Sequence, residues 1–260
     1  MPLPTTARAR LVLVARDGGE GPSYPVGETT DIGRLEGHIV VADDPYVSPR
    51  HARIALREGS HYLRDLASAN GVFLRIPFAR ESAPPATAQR VLAAPRVAGQ
   101  PIASSEQSLA DQDLFLVGQQ VLRFEVVKDA VEGFGVASEN GTLLFGTPAA
   151  PRYARLCQRT VEGVVRDVFH VRKAETVIGR ESGDIVFTDD PFLSRRHAIL
   201  RVHGDLTSGG HARDFTLADM GSSNGTFLQI HEEVRLRNGD HFRIGQQLFR
   251  FDLDTVRADA

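Results

Sequence analysis

Cysteine is nearly missing from this chain: Cys157 is the single one in 260 residues. It has no partner for an internal disulfide and no second thiolate for a metal site, so its expected place is that of a small buried hydrophobe. Long apolar runs are missing as well. Near the amino terminus, Leu11-Val12-Leu13-Val14-Ala15 follows two arginines and is too short for a signal-peptide core. No other stretch approaches the roughly 18 residues that a membrane span needs. These gaps set the expectation of a cytoplasmic protein without membrane insertion. Neither sign of charge is in excess. A formal net charge of -3 gives no global pull toward nucleic acid or anionic lipid, and no basic stripe with interleaved aromatics is present. No nucleic-acid partner is expected, and any bound anion must be held by local arrangement. Also missing are a Gly-rich phosphate loop, His-Glu-x-x-His and Gly-x-Ser-x-Gly. The expectation is therefore no enzyme, no catalytic residue, no cofactor and no metal.

What the chain does contain is a repeat. Ile32-Gly33-Arg34 returns as Ile178-Gly179-Arg180, and Ser48-Pro49-Arg50-His51-Ala52 returns at the same offset as Ser194-Arg195-Arg196-His197-Ala198. Asp43-Asp44-Pro45-Tyr46-Val47 aligns with Asp189-Asp190-Pro191-Phe192-Leu193 between them. Further on, Ser68-Ala69-Asn70-Gly71 matches Ser222-Ser223-Asn224-Gly225, after a longer loop in the second copy around Gly204 to Arg213. A closing segment, Asp113-Leu114-Phe115-Leu116-Val117-Gly118-Gln119-Gln120, matches Asp240-His241-Phe242-Arg243-Ile244-Gly245-Gln246-Gln247. Such self-similarity means two copies of one structural unit.

Apolar residues fall at every second position in Ala52, Ile54 and Leu56, and again in Ala198, Leu200 and Val202. Phe115 with Val117 and Phe242 with Ile244 repeat that period, which belongs to a strand with one buried face. Short segments of this kind, bounded by Gly, Pro, Asp and Asn, predict an all-β protein of two sandwiches in tandem. Read serially, the modules run over 8–127 and 152–256. Residues 77–108, rich in proline and alanine, read as an insertion in the first module. Residues 128–151 read as a short linker.

An Ile-Gly-Arg, a Ser-x-x-His and a Ser-x-Asn-Gly in fixed order, twice, on short strands, resemble the forkhead-associated (FHA) domain. The resemblance implies a β-sandwich of eleven strands with a phosphothreonine site on the loops at one end. It also implies roles for the matched residues. Arg180, Ser194, Arg195, Ser223 and Asn224 would hold phosphopeptide in the second module, and Arg34, Ser48 and Asn70 in the first. Gly33, His51, Gly179 and His197 would support the loops.

The chemistry suits those residue types. A phosphothreonine carries roughly -1.5 to -2 charges and three acceptor oxygens, so its receptor needs fixed donors and a cation. An arginine can hold two oxygens at once in a planar fork. Serine adds a hydroxyl donor. Asn-Gly is in any case a tight-turn signature.

The copies differ in donors. Ala69 stands where the second copy has Ser223, and Pro49 where it has Arg195. If each lost charge-assisted hydrogen bond costs roughly 1.5 to 3 kcal/mol, the first site should be weaker by about one to three orders of magnitude. Two readings stay open: a phosphothreonine-dependent adaptor in Ser/Thr kinase signalling, or a phosphate-independent protein-interaction scaffold, above all for the first module. The expected partner is a phosphothreonine-containing protein, a Ser/Thr kinase or its substrate.

Overall fold

The computed structural model describes residues 8–15, 18–76, 106–127, 137–147, 150–204 and 214–254. The proline- and alanine-rich stretch up to residue 105, the lengthened loop at 205–213, and residues 128–136 and 148–149 of the expected linker lie outside them.

Strands come in four runs. The first is β1 (Arg8–Val14), β2 (Glu20–Val26), β3 (Thr29–Gly33), β4 (Ile39–Val40), β5 (Ala52–Arg57), β6 (Ser60–Asp65) and β7 (Val72–Arg75). The second is β8 (Glu106–Leu109), β9 (Leu114–Val117) and β10 (Gln120–Val126). A small hairpin, β11 (Ser138–Glu139) and β12 (Thr142–Leu143), precedes the third run. That run is β13 (Ala154–Arg159), β14 (Val165–Val171), β15 (Glu175–Gly179), β16 (Ile185–Val186), β17 (Ala198–His203), β18 (Asp214–Asp219) and β19 (Thr226–Gln229). The last is β20 (Val234–Leu236), β21 (Asp240–Ile244) and β22 (Gln247–Asp254). The architecture is all-β, and among the described residues no helix is long and apolar enough to cross a membrane.

The runs do not assemble in serial order. One compact unit joins residues 1–90 to residues 227–260, and the other is the continuous stretch 91–226. In the first unit β1 lies antiparallel to β22, with Leu11 opposite Phe251, and β21 pairs with β7, with Phe242 opposite Leu74. The facing sheet has the order β20-β6-β5-β3-β4, so the final run also supplies its edge, with Val234 opposite Leu63. Leu11, Ile32, Ile54, Leu63, Leu74, Phe242, Phe249 and Phe251 fill the space between the sheets.

In the second unit β10 lies antiparallel to β13, with Phe124 opposite Leu156, and β8 pairs with β18, with Leu109 opposite Phe215. Phe124 and Phe215 meet across the core with ring centroids 4.9 Å apart. The second unit is thus a continuous but circularly permuted sandwich, with its closing strands ahead of its opening ones. The first unit is a split sandwich, its two parts separated in the chain by the whole of the second.

The serial boundaries 8–127 and 152–256 are corrected accordingly. Both closing segments carry the same inward alternation, Phe115 and Val117 in one and Phe242 and Ile244 in the other, all fully buried. The pattern shows that a segment closes a sandwich, without showing which one. Two smaller corrections follow. Residues 106–108 are strand β8 rather than insertion, because Gln107 and Leu109 alternate inward. The stretch read as linker holds the β11–β12 hairpin, whose Asn140 and Gly141 both adopt positive φ, +50° and +80°, as a two-residue hairpin turn requires. Cys157 is buried, and burial pushes its thiol pKa up, which keeps it inert.

Cross-strand cysteines distinguish the two topologies. Arg10 lies opposite Asp252, and Arg155 opposite Glu125. In a Cys157→Ala background, Arg10→Cys with Asp252→Cys should form an intramolecular disulfide, whereas Arg10→Cys with Glu125→Cys should not. Mass spectrometry of the oxidised monomer reads the result, and a 10–125 bridge would restore the serial arrangement.

Candidate functional site

Each unit gathers three loops at one end of its sandwich. In the second, β15 ends at Gly179, where the Arg180 loop and the Ser194 loop cross. A Cβ on Gly179 would run into the Arg195 carbonyl, which explains why no other residue fits. Backbone bonds fasten the crossing: Arg180 N–H donates to the Ser194 carbonyl at 3.0 Å and Ser182 N–H to the Arg195 carbonyl at 3.2 Å.

His197, fully buried, ties in the third loop. Its Nδ1 accepts from the Ser194 N–H at 3.1 Å, and its Nε2 lies 3.1 Å from the Gly225 carbonyl. One nitrogen accepts from an amide and the other faces a carbonyl, so the ring is held neutral with its proton on Nε2. The ring thereby links the Ser194 loop to the Gly225 loop. Among the described residues no group of three or more His, Cys, Asp or Glu side chains could hold a metal ion.

The Asn-Gly loop is folded by Asp219. Its carboxylate accepts from the Ser222 N–H at 2.8 Å, the Ser222 hydroxyl at 2.6 Å and the Thr226 hydroxyl at 2.8 Å. Gly225 follows with φ +78°, a conformation that favours glycine. Asn224 then donates from Nδ2 to the Phe192 carbonyl at 2.8 Å, and Ser223 N–H donates to Ser194 Oγ at 3.2 Å. With its oxygen already accepting, the Ser194 hydroxyl has its own proton to give outward. Arg180, Ser194, Arg195, Ser223 and Asn224 therefore all sit on loops tied to one another.

The first unit repeats this frame. A Cβ on Gly33 would strike the Pro49 and Glu36 carbonyls. Arg34 N–H donates to the Ser48 carbonyl at 2.9 Å, Ser48 N–H donates to His51 Nδ1 at 3.0 Å, and His51 Nε2 lies 3.0 Å from the Gly71 carbonyl. Asn70 Nδ2 donates to the Tyr46 carbonyl at 2.9 Å, and Ala69 N–H donates to Ser48 Oγ at 3.0 Å. The cations differ between units. Arg34 donates from Nε to the Val47 carbonyl at 3.1 Å. In the second unit, Arg180 Nη2 and Arg195 Nε lie 3.0 and 3.1 Å from the two carboxylate oxygens of Glu181.

Three kinds of site residue escaped the sequence reading. Glu181 follows Arg180 where the first copy has Leu35, so the repeat gave it no counterpart. Asp65 and Asp219 cap their turns from outside the Ser-x-Asn-Gly motif; Asp65 accepts the Ser68 hydroxyl at 2.6 Å. Asp44 and Asp190 recur in both copies, and that recurrence was the available signal. Each is 3% exposed and clasps the Gly-Gln-Gln turn of the closing segment. Asp190 accepts from Gln119 N–H at 2.8 Å and Gln120 Nε2 at 2.7 Å, and Asp44 from Gln246 N–H at 2.7 Å and Gln247 Nε2 at 3.1 Å.

The fold and these loops define a class: β-sandwiches whose loop ends present an arginine and a serine hydroxyl on a histidine-braced frame, a donor set suited to an oxyanion. The chain belongs to the FHA domain family, whose family model matches residues 30–82 and 176–245. FHA domains as a class recognise phosphorylated motifs.

An oxoglutarate dehydrogenase inhibitor of Corynebacterium diphtheriae is 30% identical over 130 residues, which is 48% of this chain and 81% of that protein. The glycogen accumulation regulator GarA of Mycolicibacterium smegmatis is 34% identical over 80 residues, 30% of this chain and 46% of GarA. The FHA domain-containing protein FhaB of Mycobacterium tuberculosis is 40% identical over 67 residues, 25% of this chain and 43% of FhaB. The chain thus spans less than half the length of the latter two. The solution structure of an FHA domain from Arabidopsis thaliana matches 27% of this chain and 61% of its own at 33% identity, with a TM-score of 0.23.

The bracing histidine carries a pH dependence. Burial holds the His51 pKa below the ordinary histidine value, opposed by its bond to the Gly71 carbonyl. A folded-state pKa below the unfolded one means stability that is full above the unfolded value and is lost as pH falls from there through the folded value. Acidification from pH 7.5 to 5.5 should therefore weaken the first unit, by no more than about 1.4 kcal/mol per pH unit for one proton. Burial also lowers the pKa values of His61 and His241, which act in the same direction, so His51→Gln should flatten the slope only in part. Urea denaturation at the two pH values measures it, and an unchanged slope in His51→Gln would remove His51 as a contributor.

Proposed function

We propose that this chain is a non-catalytic adaptor of Ser/Thr kinase signalling that reads phosphothreonine at both units, the second being the stronger site. The observation that carries the reading is the arginine, serine hydroxyl and asparagine drawn onto one braced set of loops in each unit, a cation and a hydroxyl donor side by side as an oxyanion needs. Arg180, Ser194 and Ser223 supply charge-assisted donors to phosphate in the second unit, Arg195 adds a second cation, and Asn224 holds the loop beside the peptide. Arg34, Ser48 and Asn70 do the same in the first unit with fewer donors. The partner is a phosphothreonine-containing protein, the kinase itself or one of its substrates. The regulatory names of the GarA and oxoglutarate dehydrogenase inhibitor relatives fit a protein that acts by binding.

Full-length variants test the assignment and the rank together. With a singly phosphorylated threonine peptide selected from a library on the intact chain, Arg34→Ala should leave tight binding. Arg180→Ala should lower affinity about tenfold or more, to the level of the first site, and the double variant should not bind. Because both arginines sit on exposed loops, far-UV circular dichroism should be unchanged. Adding Ala69→Ser to the Arg180→Ala chain should recover part of the loss. Calorimetry showing that the double variant still binds would remove the phosphate assignment, and equal affinities of the two single variants would remove the rank.

The thinner donor set of the first unit supports a second reading, in which that unit is a phosphate-independent scaffold. A peptide with two phosphothreonines on a flexible spacer separates the two. Under the two-site reading it binds the intact chain at least about tenfold more tightly than the single peptide, through effective concentration, and Arg34→Ala abolishes the gain. Under the scaffold reading Arg34→Ala changes nothing.

A further inference from the structure

Glu181 lies against the two cations on which the second site depends. Its Oε1 accepts from Arg180 Nη2 at 3.0 Å, and its Oε2 lies 3.1 Å from Arg195 Nε. One carboxylate therefore bridges two guanidinium groups, each oxygen to a different one, much as two oxygens of a phosphate would. The Arg195 side chain is 79% exposed, so nothing in the core requires this pairing. The first unit has no equivalent: Leu35 takes the place of Glu181 and is 63% exposed, and Pro49 takes the place of Arg195.

We propose that Glu181 is a built-in pseudo-ligand of the second site, a carboxylate that an incoming phosphate must displace, and that it sets an affinity threshold which a phosphate dianion clears and a carboxylate side chain does not. The inference rests on the phosphothreonine reading above and adds a residue to it. A dianion arriving at Arg180 and Arg195 exchanges two charges for the one that Glu181 supplied, and is favoured by the exchange. An aspartate or glutamate in the partner's sequence exchanges one charge for one and gains little. The displacement lowers the affinity of every anion by the same factor, which a firmly held phosphate can bear and a weakly held carboxylate cannot, so acidic segments and phosphomimetic substitutions fall below useful occupancy. Each exposed ion pair is individually weak, so the displacement costs a modest factor and leaves phosphothreonine binding intact.

The test uses the full chain with Arg34→Ala, so that only the second site reports. The probes are N-acetyl-phosphothreonine methylamide and its glutamate analogue, neither of which brings flanking sequence. In nuclear magnetic resonance titrations, Glu181→Gln should bind the phosphothreonine probe about three- to tenfold more tightly. The glutamate probe, with no measurable binding while Glu181 is in place, should become detectable. Glu181→Asp separates contact from through-space repulsion. The shorter arm keeps the charge yet cannot span both guanidinium groups, so a gain smaller than that of Glu181→Gln but above the unsubstituted level supports displacement. Unchanged affinity in Glu181→Asp together with a gain in Glu181→Gln would reduce the effect to general repulsion and overturn the proposal. No gain in Glu181→Gln, with binding still lost on Arg180→Ala, would overturn it while leaving the phosphothreonine reading in place. Binding that survives Arg180→Ala would remove both.

Discussion

The buried carboxylate beside each loop set is the constraint on which the rest depends. Asp190 and Asp44 are each 3% exposed, and both accept from backbone and side-chain amide donors. A carboxylate in such a place is costly unless it is hydrogen-bonded, and one of its oxygens takes its donors from the Gly-Gln-Gln turn of the closing segment. The other carboxylate oxygen holds the site loop, through Phe192 N–H at 2.9 Å in one unit and Tyr46 N–H at 3.0 Å in the other. Phe192 and Tyr46 in turn offer the carbonyls that Asn224 and Asn70 grip. Docking of the closing strands and shaping of the site loops are thus one event within each unit.

That coupling bears directly on the split topology. In the first unit the donors to Asp44 are Gln246 and Gln247, near the far end of the chain, while Arg34, Ser48 and Asn70 lie within its first seventy residues. The first site is therefore complete only when the last strands have folded back onto it. The second unit gets its clasp from Gln119 and Gln120, ahead of its own Arg180, and is continuous in sequence.

The frame and the contact groups are separable. Gly179 and Gly33 are required because loop carbonyls occupy the space a side chain would need, and His197 and His51 because one ring bridges two loops. These features are common to both units. The exposed residues differ: Ser223 against Ala69, Arg195 against Pro49, Glu181 against Leu35. The loop frame is thus common to the two units, while the exposed groups it carries are not.

The sequence by itself determined the all-β class, the duplication and the loops that matter. Those features are written in local spacing: a period of two along strands, and Gly-Arg, Ser-x-x-His and Ser-x-Asn-Gly at their ends. Only the tertiary structure decided which closing segment completes which sandwich. Phe115 with Val117 and Phe242 with Ile244 offer the same inward face, and Gln119-Gln120 and Gln246-Gln247 the same clasp, so neither hydrophobic pattern nor turn chemistry distinguishes them. The contacts of Glu181 and Asp190 were hidden for a related reason. A carboxylate's meaning depends on what lies within about 3 Å of it, and the partners of Asp190 in the closing segment are some seventy positions away in the chain.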